Sequence, residues 1–155
     1  MKVRLITLLV AVAVLVATAS CDRKKVYDKY VSAPLSGWER NDTVNFNVPP
    51  VKQGGNYSMS INLRTDNSYP FTAITVVVNR KVLPSGWLRA DTLKCKLMDR
   101  GGHSLGKGIN LYQYSFSLPS HHLDAGDSLH VSVNHNMMRE ILPGIADVGL
   151  TVSQE

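Results

Sequence analysis

Only two cysteines, Cys21 and Cys95, occur in 155 residues, which excludes a disulfide-stapled scaffold. No charge of one sign dominates: 17 basic residues face 12 acidic ones, and losing Lys2 and Arg4 with a cleaved leader lowers the formal charge from +5 to +3. That balance is too mild to point to nucleic acid or to a strongly acidic partner. Beyond the N-terminus there is no second long apolar run, so a multi-span membrane protein is excluded. Charged residues are 19% and hydrophobic residues 44%, values of a globular rather than a disordered chain. The 135 residues that would follow a 20-residue leader suit one domain, large enough to bury its own core and too small for a multi-domain enzyme.

What is present starts with the leader. Lys2 and Arg4 precede 15 uncharged residues, Leu5–Ala19, and then Ser20-Cys21-Asp22-Arg23-Lys24-Lys25. The run is long enough for a signal peptide and shorter than the ~20 residues of a permanent span. Small residues admit the peptidase to an extended backbone, and a cysteine thiol is the nucleophile that accepts a diacylglyceryl group. The pattern looks like the lipobox of bacterial lipoproteins, with Thr18 where leucine is usual. Residues 1–20 therefore read as a lipoprotein signal peptide, Cys21 as the lipidated residue, and 21–25 as a short linker to a domain over 26–155. Two or three acyl chains make such an anchor effectively permanent. About five residues reach roughly 17 Å at full extension, so the domain is expected to rest at the membrane surface.

From Val26 onward the pattern has period two. Val44, Phe46 and Val48 alternate with polar residues, as do Tyr57, Met59, Ile61 and Leu63, then Leu129, Val131 and Val133, then Val148, Leu150 and Val152. Ile74–Asn79, Leu88–Met98 and Leu111–Leu118 are rich in β-branched and aromatic residues. Turn chemistry separates these runs at Lys52–Gly55, Asp66–Pro70, Pro84–Gly86, Asp99–Gly102 and Asp124–Gly126. The expectation is an all-β fold, an antiparallel β-sandwich of seven to eight strands, with one short helical turn at Asn136–Glu140. Cys95 lies on the apolar phase of Leu93–Leu97 and reads as a buried small hydrophobe.

Chemistry-bearing motifs are weak. Gly101-Gly-His-Ser-Leu-Gly-Lys107 matches seven positions of a phosphate-binding loop, but Gly108 stands where the metal-binding hydroxyl should be, and the segment lies between strands. No nucleotide partner is expected. His121-His122-x-Asp124 is the one clustered set of metal-type ligands, yet adjacent side chains on an extended chain point to opposite sides, so no metal or other cofactor is expected. No Gly-x-Ser-x-Gly elbow occurs, and no catalytic residue is assigned. His135, Arg139 and Asp147 flank the expected helical turn and the last strand, as a structural polar cluster or as a partner-binding surface. Trp38 and Trp87 each follow a turn glycine, as core lids or as interface anchors.

A set of segments taken in order resembles the gliding motility lipoprotein GldH family of the Bacteroidota. They are Val26–Tyr30, Gly37-Trp38, Ile61–Arg64, Asn67–Phe71, Asp91–Leu93, Leu97–Asp99, Leu105–Gly108, His135–Arg139 and Gly144–Leu150. The resemblance implies a non-enzymatic, lipid-anchored envelope protein associated with gliding motility and the linked secretion apparatus. Its partners would be the membrane, through Cys21, and proteins of that machinery. Its place would be the cell envelope, with the periplasmic face of the outer membrane favoured over the inner membrane. The segments over His135–Arg139 and Gly144–Leu150 are the candidates for a shared functional surface. Bacteroidota secretory proteins resemble one another in carrying O-glycans at Asp-Ser/Thr-apolar tripeptides, which here marks Thr43, Thr92 and Ser128. The alternative is a solute- or glycan-binding lipoprotein whose Trp38, Trp87 and tyrosines line a sugar face; a deep aromatic cleft would favour it.

Overall fold

The computed structural model describes residues 24–155, so the leader and Cys21 lie outside the described residues. Ten strands follow in chain order: β1 (Lys25–Ser32), β2 (Trp38–Glu39), β3 (Val44–Val48), β4 (Gly55–Asp66), β5 (Ala73–Leu83), β6 (Leu88–Lys96), β7 (Leu111–Leu123), β8 (Ser128–His135), β9 (Ile141–Leu142) and β10 (Ile145–Gln154). They build two four-stranded antiparallel sheets, β1-β10-β4-β7 and β3-β8-β5-β6, and a small pair, β2-β9. The β-sandwich inferred from alternation is thus the fold, with ten strands rather than seven or eight. The additional two, β2 and β9, hold two residues each, too few to show any period.

The period-two runs fold as strands because each can bury one side. Phe46, Ile61, Leu63, Val131, Val133, Val148, Leu150 and Val152 face the interior with 0–1% of their surface exposed. Each fully buried aliphatic side chain of this kind stabilises the fold by about 1.5–3 kcal/mol. Cys95 is likewise wholly buried on β6, and burial pushes its thiol up to about 12.

The expected helical turn at Asn136–Glu140 does not form; the segment is an open bend between β8 and β9. Its backbone groups are engaged elsewhere. Asn136 N–H donates to the Thr75 carbonyl, Arg40 N–H donates to the Glu140 carbonyl, and the Arg40 side chain donates to the Met138 carbonyl. A helical turn would have to give up these cross-strand bonds for local ones.

The sandwich has two tips. One carries the start of β1, the β3–β4 and β7–β8 loops and the β5–β6 turn, tied by Val51 N–H to Asp127 O and Gly126 N–H to Val51 O. The other carries the β1–β2 connection, the 67–72 and 97–110 loops, and the β8–β9 bend. Within the 97–110 loop the Asp99 carboxylate accepts the N–H groups of Gly101 and His103 and faces His103 Nδ1 at 3.2 Å. The donors that a phosphate-binding loop would offer are already taken by a carboxylate.

Candidate functional site

The outward side of the β1-β10-β4 sheet is a polar face built from three neighbouring strands. Register sets Tyr30 opposite Gly149 and Ser32 opposite Asp147, and on the other side of β10 it sets Gly149 opposite Asn62 and Asp147 opposite Arg64. The inward neighbours of these residues (Val148, Leu150, Ile61, Leu63) are core. Alternation therefore turns Tyr30, Arg64, Asp147 and Asn62 to the outward side of the sheet, where the first three are part-exposed and Asn62 is covered by its neighbours.

Their side chains are ordered by one another. The Arg64 guanidinium lies 3.8 Å from the centroid of the Tyr30 ring, a cation–π contact worth about 0.5–1 kcal/mol at a half-exposed site. Arg64 Nη1 also lies 3.6 Å from Asp147 Oδ2, and the Ser32 hydroxyl donates to Asp147 Oδ1 at 2.7 Å. Burial raises the Tyr30 phenol, with Arg64 opposing and Asp28 adding to that shift. Further along, Asn62 Nδ2 donates to Thr151 Oγ1 at 2.8 Å, and the Thr151 hydroxyl donates to Asp28 Oδ1 at 3.0 Å. Tyr30 can lie flat because residue 149 is glycine: a Cβ there would stand 2.7 Å from the ring.

The three residues His135, Arg139 and Asp147 do not come together. His135 ends β8 in the opposite sheet and is fully buried. Its Nε2 lies 3.0 Å from the Trp38 carbonyl, and its Nδ1 accepts from Met137 N–H at 3.4 Å. Both ring nitrogens are engaged by backbone, burial lowers its pKa, and the ring has no exposed surface to offer a partner. Arg139 is exposed on the bend, while Asp147 belongs to the polar face of the other sheet.

Trp38 is wholly buried, edge-on to His135 at 5.2 Å, with its indole N–H donating to the Asp42 carbonyl at 2.8 Å. It is a core residue, not an interface anchor. Trp87 is half-buried and His121 stacks on it at 3.7 Å and 19°, so that ring face is covered. Burial and the nearby Arg80 lower the His121 pKa. His122 points the other way, toward Asp124 at 3.3 Å. Trp38, being buried, offers no surface to a sugar. Thr43 and Thr92 are exposed and Ser128 is half-buried.

Sequence reasoning missed Tyr30 and Arg64 as a pair, and it missed Arg80. Arg80 is 1% exposed; it donates to Asp91 Oδ2 and to the Pro119 carbonyl, each at 2.7 Å. Burial alone would raise Asp91, but hydrogen bonds from Arg80 and Arg89 outweigh it and hold the carboxyl low. The signal was phase: Val76, Val78, Arg80 and Val82 share one side of β5, so an arginine at that position must be buried and paired.

Comparison with known proteins fits this chain as a whole. The chain is 29% identical over 143 residues to the gliding motility lipoprotein GldH of Flavobacterium johnsoniae, covering 88% of this chain and 89% of that protein. It is 28% identical over 145 residues to a GldH homolog of Christiangramia forsetii, covering 88% of each. Among solved structures, it overlaps part of a family GH115 4-O-methyl-α-glucuronidase at a TM-score of 0.46 and 13% identity, over 88% of this chain and 18% of that one. The GldH lipoprotein family model matches residues 25–152, and the chain belongs to the GldH lipoprotein family.

Proposed function

We propose that the protein is a lipid-anchored component of the cell envelope, attached through Cys21, that acts in gliding motility and the linked secretion apparatus by binding other proteins. The relatives' names as gliding motility lipoproteins support the motility association. One observation carries the binding reading. Val26–Tyr30, Ile61–Arg64 and Gly144–Leu150, three of the segments that carry the family resemblance, lie on adjacent strands and put Tyr30, Arg64 and Asp147 on one face. That face holds a cation and a carboxylate already ordered by stacking and hydrogen bonding, so a partner loses little side-chain entropy in meeting them. It is the polar outward side of a sheet, which suits another protein's surface better than an enclosed solute. The periplasmic face of the outer membrane is its proposed place, and O-glycans on Thr43, Thr92 or Ser128 belong to the same reading. Added hexose mass on the natively expressed protein tests the glycans.

The test of function is affinity recovery of the lipoprotein from gently solubilised envelopes, compared with Cys21→Ala, Arg64→Ala and Asp147→Ala. Motility or secretion proteins co-recovered with the wild type should be lost with each variant while the fold is kept. Equal recovery with Arg64→Ala and Asp147→Ala would remove the polar face from the account, and recovery of the protein alone would turn attention to small ligands.

A further inference from the structure

Which end of the sandwich meets the membrane is fixed by the start of β1, given the proposed anchor at Cys21. Lys24 is three residues from Cys21, a reach of about 10 Å at full extension. Its carbonyl is held by Gln154 N–H, and Lys25 pairs with Ser153, so no loose tether follows. The tip that carries β1's start cannot leave the bilayer surface.

That tip is furnished for such contact. Leu88 is 68% exposed, Leu83 42% and Val26 41%. Leu83 and Leu88 flank the β5–β6 turn, where Leu88 pairs with Lys81 and Leu83 with Ser128. Val26 borders a cleft of about 390 Å³ whose other apolar walls are Val48, Pro49, Pro50, Val51 and Tyr57. Exposed Lys24, Lys52 and Lys81 rim these apolar groups, and Arg89, also exposed, is paired with Asp91. The tip also carries carboxylates, each with a hydrogen-bond partner in the protein: Asp124 with His122, Asp127 with the Asp124 N–H, and Glu155 with Ser120. Apolar side chains with a basic rim are what a headgroup layer accepts. A strand of 12 residues, as β4 is, spans about 40 Å, so the other tip, with Leu35 and Met138 fully exposed, stands well clear.

We infer that Val26, Leu83 and Leu88 form a seat on the lipid headgroup layer, holding the sandwich upright with the Leu35–Met138 tip directed away from the membrane. This rests on the anchoring reading, and one experiment separates the two. The full-length lipoprotein, carrying an environment-sensitive fluorophore on Leu88→Cys or on Leu35→Cys, is reconstituted into phosphatidylethanolamine–phosphatidylglycerol vesicles with and without nitroxide-labelled lipid. Both sites are exposed, so labelling leaves the core intact. The protein should float with the vesicles, with the Leu88 probe shifting to the blue and losing emission to the nitroxide while the Leu35 probe does neither. Flotation without a response at Leu88, or with an equal response at Leu35, overturns the seat and leaves the anchor standing. Absence of flotation overturns the anchor and the seat with it.

Discussion

The ring of Tyr30 lies over Gly149 of the adjacent strand, close enough that a Cβ at 149 would stand 2.7 Å from it. Gly149→Ala is therefore expected to displace Tyr30 and, with it, Arg64. The expected cost is about 1–3 kcal/mol, as for other overpacked sites. Urea unfolding of Gly149→Ala, Tyr30→Ala and the double variant measures it. The alanine penalty should vanish once Tyr30 is truncated, and a penalty that persists would place the strain in the backbone instead.

Among the described residues, Arg80 and Asp91 form the most buried ion pair. Arg80→Ala leaves the Pro119 carbonyl without its donor and Asp91 with Arg89 alone, so a loss of about 3 kcal/mol is expected in chemical denaturation. Arg80→Met with Asp91→Leu should recover part of it, since an apolar pair removes a carboxylate that has lost its buried partner while Pro119 stays unsatisfied.

Stability should fall on acidification. Burial holds His135 and His121 below the ordinary value of 6.5, so the unfolded chain takes up protons first. The stabilisation is full above about pH 6.5 and is lost as pH drops from there through the lower folded values. Asp91, also held low, extends the loss into the acid carboxylate range. Urea midpoints across this interval check the sign, and a midpoint that rises on acidification would contradict it.

Cys95 should be inert. Its thiol is buried and pushed up to about 12, so little thiolate forms near neutral pH. Alkylation by a maleimide should follow opening of the fold and become fast only in denaturant. Fast labelling of the native domain would mean that the β6 edge opens readily.

The sandwich was legible because β3, β4, β8 and β10 alternate cleanly, and each buries the side that alternation marks. The site was legible only in part. Asp147 was singled out, but its partners Ser32 and Arg64 lie more than 80 residues away in the chain, and nothing local to any of them announces the register that joins them. His135 and Trp38 are polar-tipped groups next to turns, which suggests a surface; their ring nitrogens instead find backbone and carbonyl partners inside. The bend at Asn136–Glu140 looks helical in sequence because its competing hydrogen-bond partners, Thr75 and Arg40, are both distant in the chain.

The strand order has a consequence for how the chain comes to be folded. β10, the last strand described, sits in the interior of its sheet between β1 and β4. A chain that emerges N-terminus first, as from the ribosome, thus presents β1 and β4 before their shared neighbour is available. Until Ile145–Gln154 emerges, that sheet has a gap at its centre and the core has no floor. The sheet therefore closes late, on arrival of its last strand, and until then the apolar sides of β1 and β4 lack the neighbour that joins them.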